Sequence, residues 1–398
     1  MDKTEELLTR GVDKIYPSKE ELEKVLRSGK KLKLYQGFDP TGTKLHIGHM
    51  VGLRKLSQWQ ALGHHVIFLI GDGTGLAGDP SGKVKARDRF MTRDELRQNA
   101  REYVMQANKI VKFDGDNPVE ILYNGDWLIE LKLSDVLNIA QQFSLQQLAE
   151  RDLFQERMKK GEPVNLREFL YPLLQAYDSV AMRVDLELGG NDQTFNMLAG
   201  RSLMKSMLNK DKFVMTTPLL ADATGRKIGK SEGNEIAITD PPSDLYGKIM
   251  SLGDEVILKG FECLTDVSME EIQRIDTSLQ SGENPIMYKK QLAYEIVKQL
   301  NSEGDAKKAQ EEFERTVQNK ELPKEEKIFE VEVEDRFTIL DVLLSEKLVS
   351  SKSEAKRLID QGGVTLNENK VTDLNLKLDN GVLRVGKGKF RKIKLMVK

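Results

Sequence analysis

Residues 1–240 alternate apolar strand-like segments with longer helix-like segments, and this alternation limits the possible folds more than any other feature. Residues 31–38 (KLKLYQGF) are typical of a strand that ends in a turn, and residues 66–70 (VIFLI) of a buried strand that leads into a glycine-rich loop. Between them, residues 46–62 space their apolar side chains as a helix does. Strands that alternate with helices favour a parallel sheet with helices on both faces. We therefore predict an α/β fold with a Rossmann-like parallel sheet over residues 1–240.

Two helical regions interrupt or follow this pattern. The segment from about residue 125 to residue 165 is predicted to be a helical insertion in the sheet domain. The alternation then resumes with a helix near 168–182 and a strand at 184–188, which leads into the turn GGNDQ at 189–193. From residue 241 to residue 320 the apolar spacing is helical throughout, which indicates an α-helical domain.

The sign of the charge reverses near the C-terminus. Residues 321–335 carry seven acidic and two basic side chains, a net charge of −5, and are predicted to be a linker. Residues 351–398 carry twelve Lys or Arg and five Asp or Glu, a net charge of +7. Such a reversal is typical of a domain boundary. We therefore predict a separate small basic domain over residues 336–398.

Composition excludes several classes of protein. The 398 residues are 39% hydrophobic and 31% charged, which is typical of a soluble globular protein of two or three domains. The net charge of −2 argues against a wholly basic protein but permits one basic domain. The single cysteine, Cys263, excludes an intrachain disulfide and a cysteine-rich metal site. No run reaches the roughly 20 apolar residues of a membrane span, and residues 1–14 lack the apolar core of a signal peptide. We expect a cytoplasmic protein with no membrane partner.

The string HIGH at residues 46–49 stands where a strand and a turn lead into a helix. A helix N-terminus offers N–H groups and a positive dipole to phosphate oxygens, and Gly48 lets the backbone approach them closely. We predict a nucleotide phosphate site here, to which the two imidazoles add donors. The alternatives are two histidines without a role and a metal site, for which no third ligand is near in sequence. His64 and His65 lack this context and are interpreted as surface or turn residues.

The string KIGKS at residues 227–231 places two lysines on a loop predicted over residues 225–235. Ammonium groups on such a loop can stabilise negative charge that develops on departing phosphates only in the transition state. Lys83 and Arg87, which follow a glycine-rich segment, form a second basic arm. The alternative is a basic loop that is simply solvated.

Tyr171, Gln175 and Asp178 follow one another at spacings of four and three residues, so they share one face of the predicted helix. Nearby leucines already supply that helix with an apolar face. The polar stripe is therefore predicted to line a substrate pocket, and the alternative is an ordinary amphipathic helix. Asp79 and Gln193, in turns of their own, are further candidates.

Several of these segments resemble tyrosyl-tRNA synthetases of the bacterial type, which are class I aminoacyl-tRNA synthetases. The segments are LYQGFDPTGTKLHIGH, GTGLAGDPSGK, YPLLQAYDSVAM, GGNDQ and KIGKS, in the order and with the gaps of that family. The resemblance covers nearly the whole chain. Residues 339–370 and the basic end of the chain resemble a small α+β RNA-binding domain named after a ribosomal small-subunit protein.

The resemblance implies a role for each candidate residue. Tyr35 and Asp178 would hydrogen-bond the phenolic hydroxyl of tyrosine. The substrate ammonium group would be held by Asp79, Tyr171 and Gln175, with Gln193 near the carboxyl group. The ATP and adenylate contacts would come from Gly37, Asp39, Thr41, His46, Gly48, His49, Gly190 and Asp192. The pyrophosphate in the transition state would be held by Lys83, Arg87, Lys227, Lys230 and Ser231, of which Lys230 would also bind ATP.

The implied activity is the ligation of tyrosine to tRNA(Tyr) in two steps. L-Tyrosine and ATP would give tyrosyl-adenylate and pyrophosphate, and the tyrosyl group would then pass to the 3′ end of the tRNA. Mg²⁺ would accompany ATP, with no metal held by the protein and no tightly bound cofactor. Lys352, Lys356 and Arg357 of the C-terminal domain would contact RNA phosphates, the domain at 241–320 would lie on the anticodon side, and the insertion would form a homodimer interface.

Two departures from the family pattern concern the nucleotide. Gln36 stands where many relatives have cysteine, and Gly52 where many have threonine. Both positions would lie near the ATP ribose, so nucleotide affinity is not implied by the resemblance. The residues leave three other functions open: a tryptophan–tRNA ligase, another nucleotidyltransferase with the same histidine motif, and an RNA-binding protein with an inactive catalytic fold.

Overall fold

The fold is taken from a computed structural model of the chain. It describes residues 2–80, 89–149, 152–221, 228, 235–318, 329–334, 337–349, 351–367, 369–386 and 389–396. The chain divides into two compact units, Met1–Ala306 and Lys307–Lys398.

The first unit contains a six-stranded sheet in the order β1-β6-β5-β2-β3-β4. Its strands are β1 (Lys14–Tyr16), β2 (Lys33–Phe38), β3 (His65–Ile70), β4 (Glu120–Tyr123), β5 (Leu186–Gly190) and β6 (Phe213–Thr217). All neighbours are parallel except β1, which pairs antiparallel with β6 at one edge. The predicted parallel α/β sheet is therefore confirmed, whereas the short edge strand β1 had no clear signal in the sequence.

The chain order of the strands creates a crevice between β2 and β5. From β2 the chain continues to β3 and β4, toward one edge of the sheet, and later to β5 and β6, on the other side of β2 toward the opposite edge. Loops after β2 and β5 therefore leave the sheet in opposite directions, which opens a space beyond the carboxyl ends of these strands. Strand β3 is buried along almost its whole length, as expected of a central strand covered on both faces.

Helices cover the sheet and form the insertion. Those of residues 3–208 are α1 (Lys3–Thr9), α2 (Lys19–Arg27), α3 (Ile47–Ala61), α4 (Thr74–Ala77), α5 (Arg93–Ala107), α6 (Gly125–Leu128), α7 (Leu133–Ala140), α8 (Leu145–Ala149), α9 (Asp152–Lys159), α10 (Leu166–Met182) and α11 (Thr194–Leu208). A 3-10 turn over Asn191–Gln193 precedes α11. Helix α2 begins after Ser18, whose side chain accepts a hydrogen bond from the Glu21 backbone N–H, as is typical of a serine N-cap. Helices α7, α8 and α9 confirm that the insertion is helical.

The rest of the first unit is helical, as predicted from residue 241 onward. Its helices are α12 (Pro242–Met250), α13 (Val256–Leu264), α14 (Met269–Gln280) and α15 (Pro285–Leu300), and α16 (Glu303–Phe313) spans the division and continues into a π-helical turn, Glu314–Gln318. Residues 241–306 belong to the same compact unit as the sheet. Within the ranges given above, no helix has both the length and the apolar composition needed to cross a bilayer.

After α16 and its π-helical turn, the described residues of the second unit form two helices and a five-stranded sheet in the order β7-β11-β10-β8-β9. The elements are β7 (Phe329–Glu334), α17 (Ile339–Ser345), α18 (Lys352–Asp360), β8 (Val364–Leu366), β9 (Asn369–Lys370), β10 (Gly381–Val385) and β11 (Lys389–Met396). Apolar side chains from both helices and the sheet form its core, among them Ile339, Leu343, Ile359 and Leu383. This arrangement matches the small α+β domain that the resemblance implied.

Two sequence interpretations need correction. The linker predicted over residues 321–335 contains β7, which pairs in parallel with β11; its apolar–acidic alternation is the pattern of a strand at the edge of a sheet. His64 is buried rather than superficial, and its Nδ1 accepts a hydrogen bond of 3.0 Å from the backbone N–H of Leu32. His65 is on the surface, as predicted, with Nε2 2.7 Å from Glu120 Oε2.

Candidate functional site

A cleft of about 280 Å³ opens at the carboxyl ends of β2 and β5. All predicted substrate, ATP and histidine positions that the structure describes line it. They are Tyr35, Gly37, Asp39, Thr41, His46, Gly48, His49, Asp79, Tyr171, Gln175, Asp178, Gly190, Asp192 and Gln193. Residues that are far apart in the chain therefore meet in one place, because their strands end at the same edge of the sheet.

The carboxylate of Asp178 lies at the buried end of the cleft. Its Oδ1 accepts a hydrogen bond of 2.8 Å from Trp127 Nε1, and its Oδ2 accepts one of 3.0 Å from Asn124 Nδ2. Burial raises the pKa of Asp178 well above its usual value, and these two donors oppose that shift. Because each Asp178 oxygen accepts a hydrogen bond, the ionised carboxylate is favoured over the protonated acid. Each oxygen can still accept a further hydrogen bond from a ligand.

Two buried tyrosines, Tyr35 and Tyr171, line the same cleft. Burial raises the pKa of Tyr35 well above 10, and the negative charges of Glu187 and Asp178 raise it further. Burial also raises the pKa of Tyr171, with added effects from Asp39 and Asp79. Both phenols are therefore neutral at physiological pH and act as hydrogen-bond donors or acceptors rather than as bases.

The polar stripe of α10 faces the cleft, as its spacing predicted. Tyr171 and Asp178 are buried, and Gln175 lies between them on the same face of the helix. On the other side of the cleft, Gln193 Nε2 donates a hydrogen bond of 2.9 Å to Asp79 Oδ2. Acidic and amide oxygens thus surround the middle of the cleft, which is a suitable environment for a cationic group.

The histidine motif begins α3, as predicted. His46 is its N-cap, and its Nδ1 accepts from the Gly48 N–H at 3.1 Å, while His49 Nδ1 accepts from the His46 N–H at 3.2 Å. The two rings lie 3.9 Å apart between centroids. This places two imidazoles and the N-terminus of a fifteen-residue helix on the wall of the cleft.

Predicted residues of the two basic arms lie outside the described residues: Lys83, Arg87, Lys227, Lys230 and Ser231. Two described residues in and beside the second arm, Ile228 and Ile236, show where it runs. Ile228 lines it, and its backbone N–H donates to the Leu220 carbonyl at 2.8 Å. The Ile236 carbonyl accepts from the Ile47 N–H at 3.0 Å, so this part of the chain is joined to the start of α3.

Gln36 and Gly52, the two departures from the family pattern, are in contact. A Cβ atom at position 52 would lie 2.4 Å from the amide nitrogen and the amide oxygen of Gln36. Both residues line the cleft. The larger side chain at position 36 therefore occupies the space that the glycine at position 52 leaves, and the two departures form one structural unit.

Three basic residues of the second unit lie on the exposed side of α18. Lys352, Lys356 and Arg357 are exposed, whereas Ala355 and Ile359 on the other side of this helix are buried in the domain core. Three cations on one solvated face are available to phosphates.

Several side chains that hydrogen-bond to the predicted site residues were not themselves predicted from the sequence. Asn124 and Trp127 bind Asp178, and Thr74 Oγ1 donates to Asp39 Oδ1 at 2.7 Å. Asn124 follows the last residue of β4 directly, so its place at the carboxyl end of a strand was a usable signal. Glu187 and Lys212 had none, because a charged residue in a strand-like segment is normally assigned to the solvent side.

Comparison with known proteins agrees with this architecture. Residues 27–318 match the family described as tRNA synthetases class I (W and Y), and residues 340–383 match the S4 domain. The tyrosine–tRNA ligase of Thermotoga maritima is 42% identical over 97% of this chain and 96% of its own length. That of Carboxydothermus hydrogenoformans is 40% identical over 98% of this chain and 97% of its own length.

Solved structures share the fold at lower identity. A C-terminally truncated mitochondrial tyrosyl-tRNA synthetase of Coccidioides posadasii has a TM-score of 0.62 at 23% identity, covering 78% of this chain and 91% of the other. The tyrosyl-tRNA synthetase of Archaeoglobus fulgidus, complexed with L-tyrosine, has a TM-score of 0.61 at 22% identity, covering 78% of this chain and 100% of the other. The predicted resemblance is confirmed, and the chain belongs to the class I tRNA synthetases of the tryptophan and tyrosine family, with an S4 domain at its C-terminal end.

Proposed function

We propose that this chain is an ATP-dependent tyrosine–tRNA ligase. In the first step, a carboxylate oxygen of L-tyrosine attacks the α-phosphorus of ATP, and the bond to pyrophosphate breaks. In the second step, a hydroxyl group at the 3′ end of tRNA(Tyr) attacks the carbonyl carbon, and AMP leaves. The observation that carries the proposal is that the buried Asp178 carboxylate and the buried Tyr35 phenol line the same cleft as the histidine motif.

The amino acid is proposed to enter with its side chain toward Asp178. The phenolic O–H of the substrate would donate to the Asp178 carboxylate, next to the Tyr35 hydroxyl group. Phenylalanine has no such donor, and its binding would leave these buried polar groups without a ligand partner. A site built to pair with a hydroxyl group rejects the analogue that lacks it more strongly than an apolar site rejects an extra methylene group.

The ammonium group of the substrate is assigned to the acidic middle of the cleft. Asp79, Tyr171 and Gln175 would accept its N–H donors, and Gln193, which is bonded to Asp79, would lie near the substrate carboxyl group. These contacts orient the carboxylate for attack. Because no covalent enzyme intermediate is needed, positioning and charge stabilisation account for the catalysis.

ATP is assigned to the wall formed by the loop after β2, the start of α3 and the loop after β5. Its contacts would come from Gly37, Asp39, Thr41, His46, Gly48, His49, Gly190 and Asp192, with Asp192 on the ribose. Helix α3 would direct its N-terminal dipole and the two imidazoles at phosphate oxygens. Lys83, Arg87, Lys227, Lys230 and Ser231 are proposed to hold the departing pyrophosphate. Mg²⁺ is proposed to arrive bound to the ATP phosphates, as part of the substrate.

The S4 domain is proposed to bind tRNA(Tyr) through the exposed cations of α18, Lys352, Lys356 and Arg357. Such contacts with phosphates weaken as the salt concentration rises. The helical region 241–320 is proposed to lie on the anticodon side of the bound tRNA.

We further propose a homodimer in the cytoplasm. Leu133 and Leu137 of α7 are 74% and 59% exposed, Leu145 of α8 is 69% exposed, and Leu166, the first residue of α10, is 74% exposed. Large apolar side chains left exposed in and beside one segment are typical of an interface. Sedimentation of the chain with Leu133→Glu and Leu137→Glu tests the dimer, because the wild-type chain is expected to sediment as a dimer and the variant as a monomer.

The activity is tested by ATP–pyrophosphate exchange with each of the twenty amino acids in turn. Exchange is expected with tyrosine and not with phenylalanine or tryptophan. Rapid exchange with tryptophan would instead assign the chain to the other branch of its family, and exchange with none would exclude a ligase.

A further inference from the structure

A buried ion pair lies beside Gln175, and one of its members, Glu187, is among the residues that line the cleft. Glu187 is the second residue of β5 and is paired in the sheet with Tyr35 of β2. Lys212 immediately precedes β6, and both of these charged side chains are almost completely buried, as is Ser179 between them. Two charges removed from water are costly unless they are paired and hydrogen-bonded.

The pair is connected to the cleft at two points. Lys212 Nζ is paired with Glu187 Oε2 and donates to Ser179 Oγ at 2.7 Å, and Ser179 Oγ is 3.0 Å from the Tyr35 hydroxyl oxygen. The other oxygen of the carboxylate, Glu187 Oε1, accepts a hydrogen bond of 2.9 Å from Gln175 Nε2. Burial lowers the pKa of Lys212, and the charge of Glu187 opposes that shift.

Gly200 of α11 provides the space for this ion pair. A Cβ atom at position 200 would lie 2.7 Å from Lys212 Nζ and 3.0 Å from Ser179 Oγ. Glycine within a helix is unfavourable compared with alanine. Its presence here is explained by the close approach of the ammonium group.

The Glu187 carboxylate fixes the orientation of the Gln175 side-chain amide. A carboxylate only accepts hydrogen bonds, so the NH₂ group of Gln175 must face Glu187. The carbonyl Oε1 of Gln175 is then left buried and without a hydrogen-bond partner among the described residues, in a side chain that lines the cleft. The reversed amide would offer N–H donors to the substrate, and these would repel an ammonium group.

We propose that the Lys212–Glu187 ion pair is a positioning device that holds the Gln175 amide with its carbonyl oxygen toward the substrate, so that the cleft accepts the ammonium group of the amino acid. Glu187 lines the cleft, and both of its carboxylate oxygens are engaged by Gln175 and Lys212, so its proposed role is to hold the amide rather than to bind the substrate. The inference rests on the proposed role of Gln175 in binding that ammonium group.

The test replaces the pair by two apolar side chains of similar length, Glu187→Met with Lys212→Met. Replacement of a whole buried pair by apolar residues is often neutral for stability, so a purely structural role predicts unchanged kinetics in a folded protein. A positioning role predicts a rise of about tenfold in the KM for tyrosine, measured by pyrophosphate exchange, with kcat within about twofold, since about 1.4 kcal/mol of binding is lost.

An analogue without the ammonium group separates positioning from a general loss of the pocket. The inhibition constant of 3-(4-hydroxyphenyl)propionate is expected to change less than about twofold in the double variant. As a control, Arg274→Gln with Glu271→Gln removes a surface ion pair on α14 and is expected to leave both constants unchanged.

A milder variant decides the question if the double variant does not fold. Gly200→Ala favours the helix but crowds the ammonium group, so the KM for tyrosine is expected to rise about threefold. The proposal is overturned if tyrosine KM stays within twofold of wild type in the folded variants, or if tyrosine and its analogue weaken equally. Gln175→Met separates the role of Gln175 from the role of the ion pair. If this variant leaves the KM for tyrosine unchanged, the proposed role of Gln175 is rejected. If the KM rises in this variant but not in the ion-pair variants, only the positioning role of the ion pair is rejected.

Discussion

Asp178→Asn is the substitution that tests the proposed tyrosine pocket most directly. The shape of the side chain is kept, but one acceptor oxygen becomes an NH₂ donor. In the structure both oxygens already receive donors, from Trp127 Nε1 at 2.8 Å and Asn124 Nδ2 at 3.0 Å. An asparagine must therefore direct its NH₂ group at one of two donors, and only one oxygen remains to accept from a substrate phenol.

The magnitude follows from the kind of hydrogen bond that is lost. A hydrogen bond to a charged acceptor contributes about 1.5–3 kcal/mol, so kcat/KM for tyrosine is expected to fall by about 10- to 150-fold. Phenylalanine never makes this bond, and the neutral amide costs less to leave without a ligand partner than the carboxylate does. The preference for tyrosine over phenylalanine is therefore expected to fall by at least the same factor.

The assay is pyrophosphate exchange with tyrosine and with phenylalanine on the same preparation. Thermal unfolding of the variant gives the control for stability, because the donor–donor contact also destabilises the pocket. The reasoning is refuted if the ratio of kcat/KM for tyrosine to kcat/KM for phenylalanine stays within about threefold of wild type while the variant remains folded. Asp178 would then not be the residue that recognises the phenolic hydroxyl group.

Three further predictions concern other parts of the chain. Lys230→Ala is expected to lower the rate of tyrosine activation by at least tenfold with little change in tyrosine affinity, because its contact with phosphate is proposed to form only in the transition state; a large loss of tyrosine binding in equilibrium dialysis would contradict this. Truncation just before Phe329, which removes the S4 domain, should preserve pyrophosphate exchange and abolish tRNA charging, and an equal loss of both would show that the domain is structural. Burial, with a smaller effect of Lys31, lowers the pKa of His64 from 6.5 to about 4. The unfolded chain therefore binds this proton at a higher pH, and the free energy of unfolding should fall by about 2 kcal/mol as the pH drops from 6.5 to 4. His64→Asn, which keeps an acceptor for Leu32, should remove that part of the slope in urea titrations; an unchanged slope would argue against it.

Local patterns in the sequence were sufficient for the elements and for most of the cleft. The strand with Tyr35 and the helix that begins at the histidine motif depend on neighbouring residues alone, and each appears where its pattern indicates. The cleft residues could be grouped because parallel strands end at the same edge of a sheet, and because the helical spacing of Tyr171, Gln175 and Asp178 places them on one face.

Interpretations that depended on burial by distant residues were less successful. His64 had no local signal for burial, because its partner, the Leu32 N–H, is 32 residues away. The acidic segment before residue 336 looked like a linker, because its partner strand β11 lies at the other end of the domain.

The amino-acid sequence by itself determined the α/β fold class, the helical insertion, the basic C-terminal domain and the family of this protein, because caps, periodicities and short motifs are local. Only the tertiary structure decided how Asp178 is held, why Gly52 accompanies Gln36, and that Lys212 and Glu187 form a buried pair beside Gln175. These contacts join residues on different elements. Their energies depend on removal from water, which no local pattern of residues specifies.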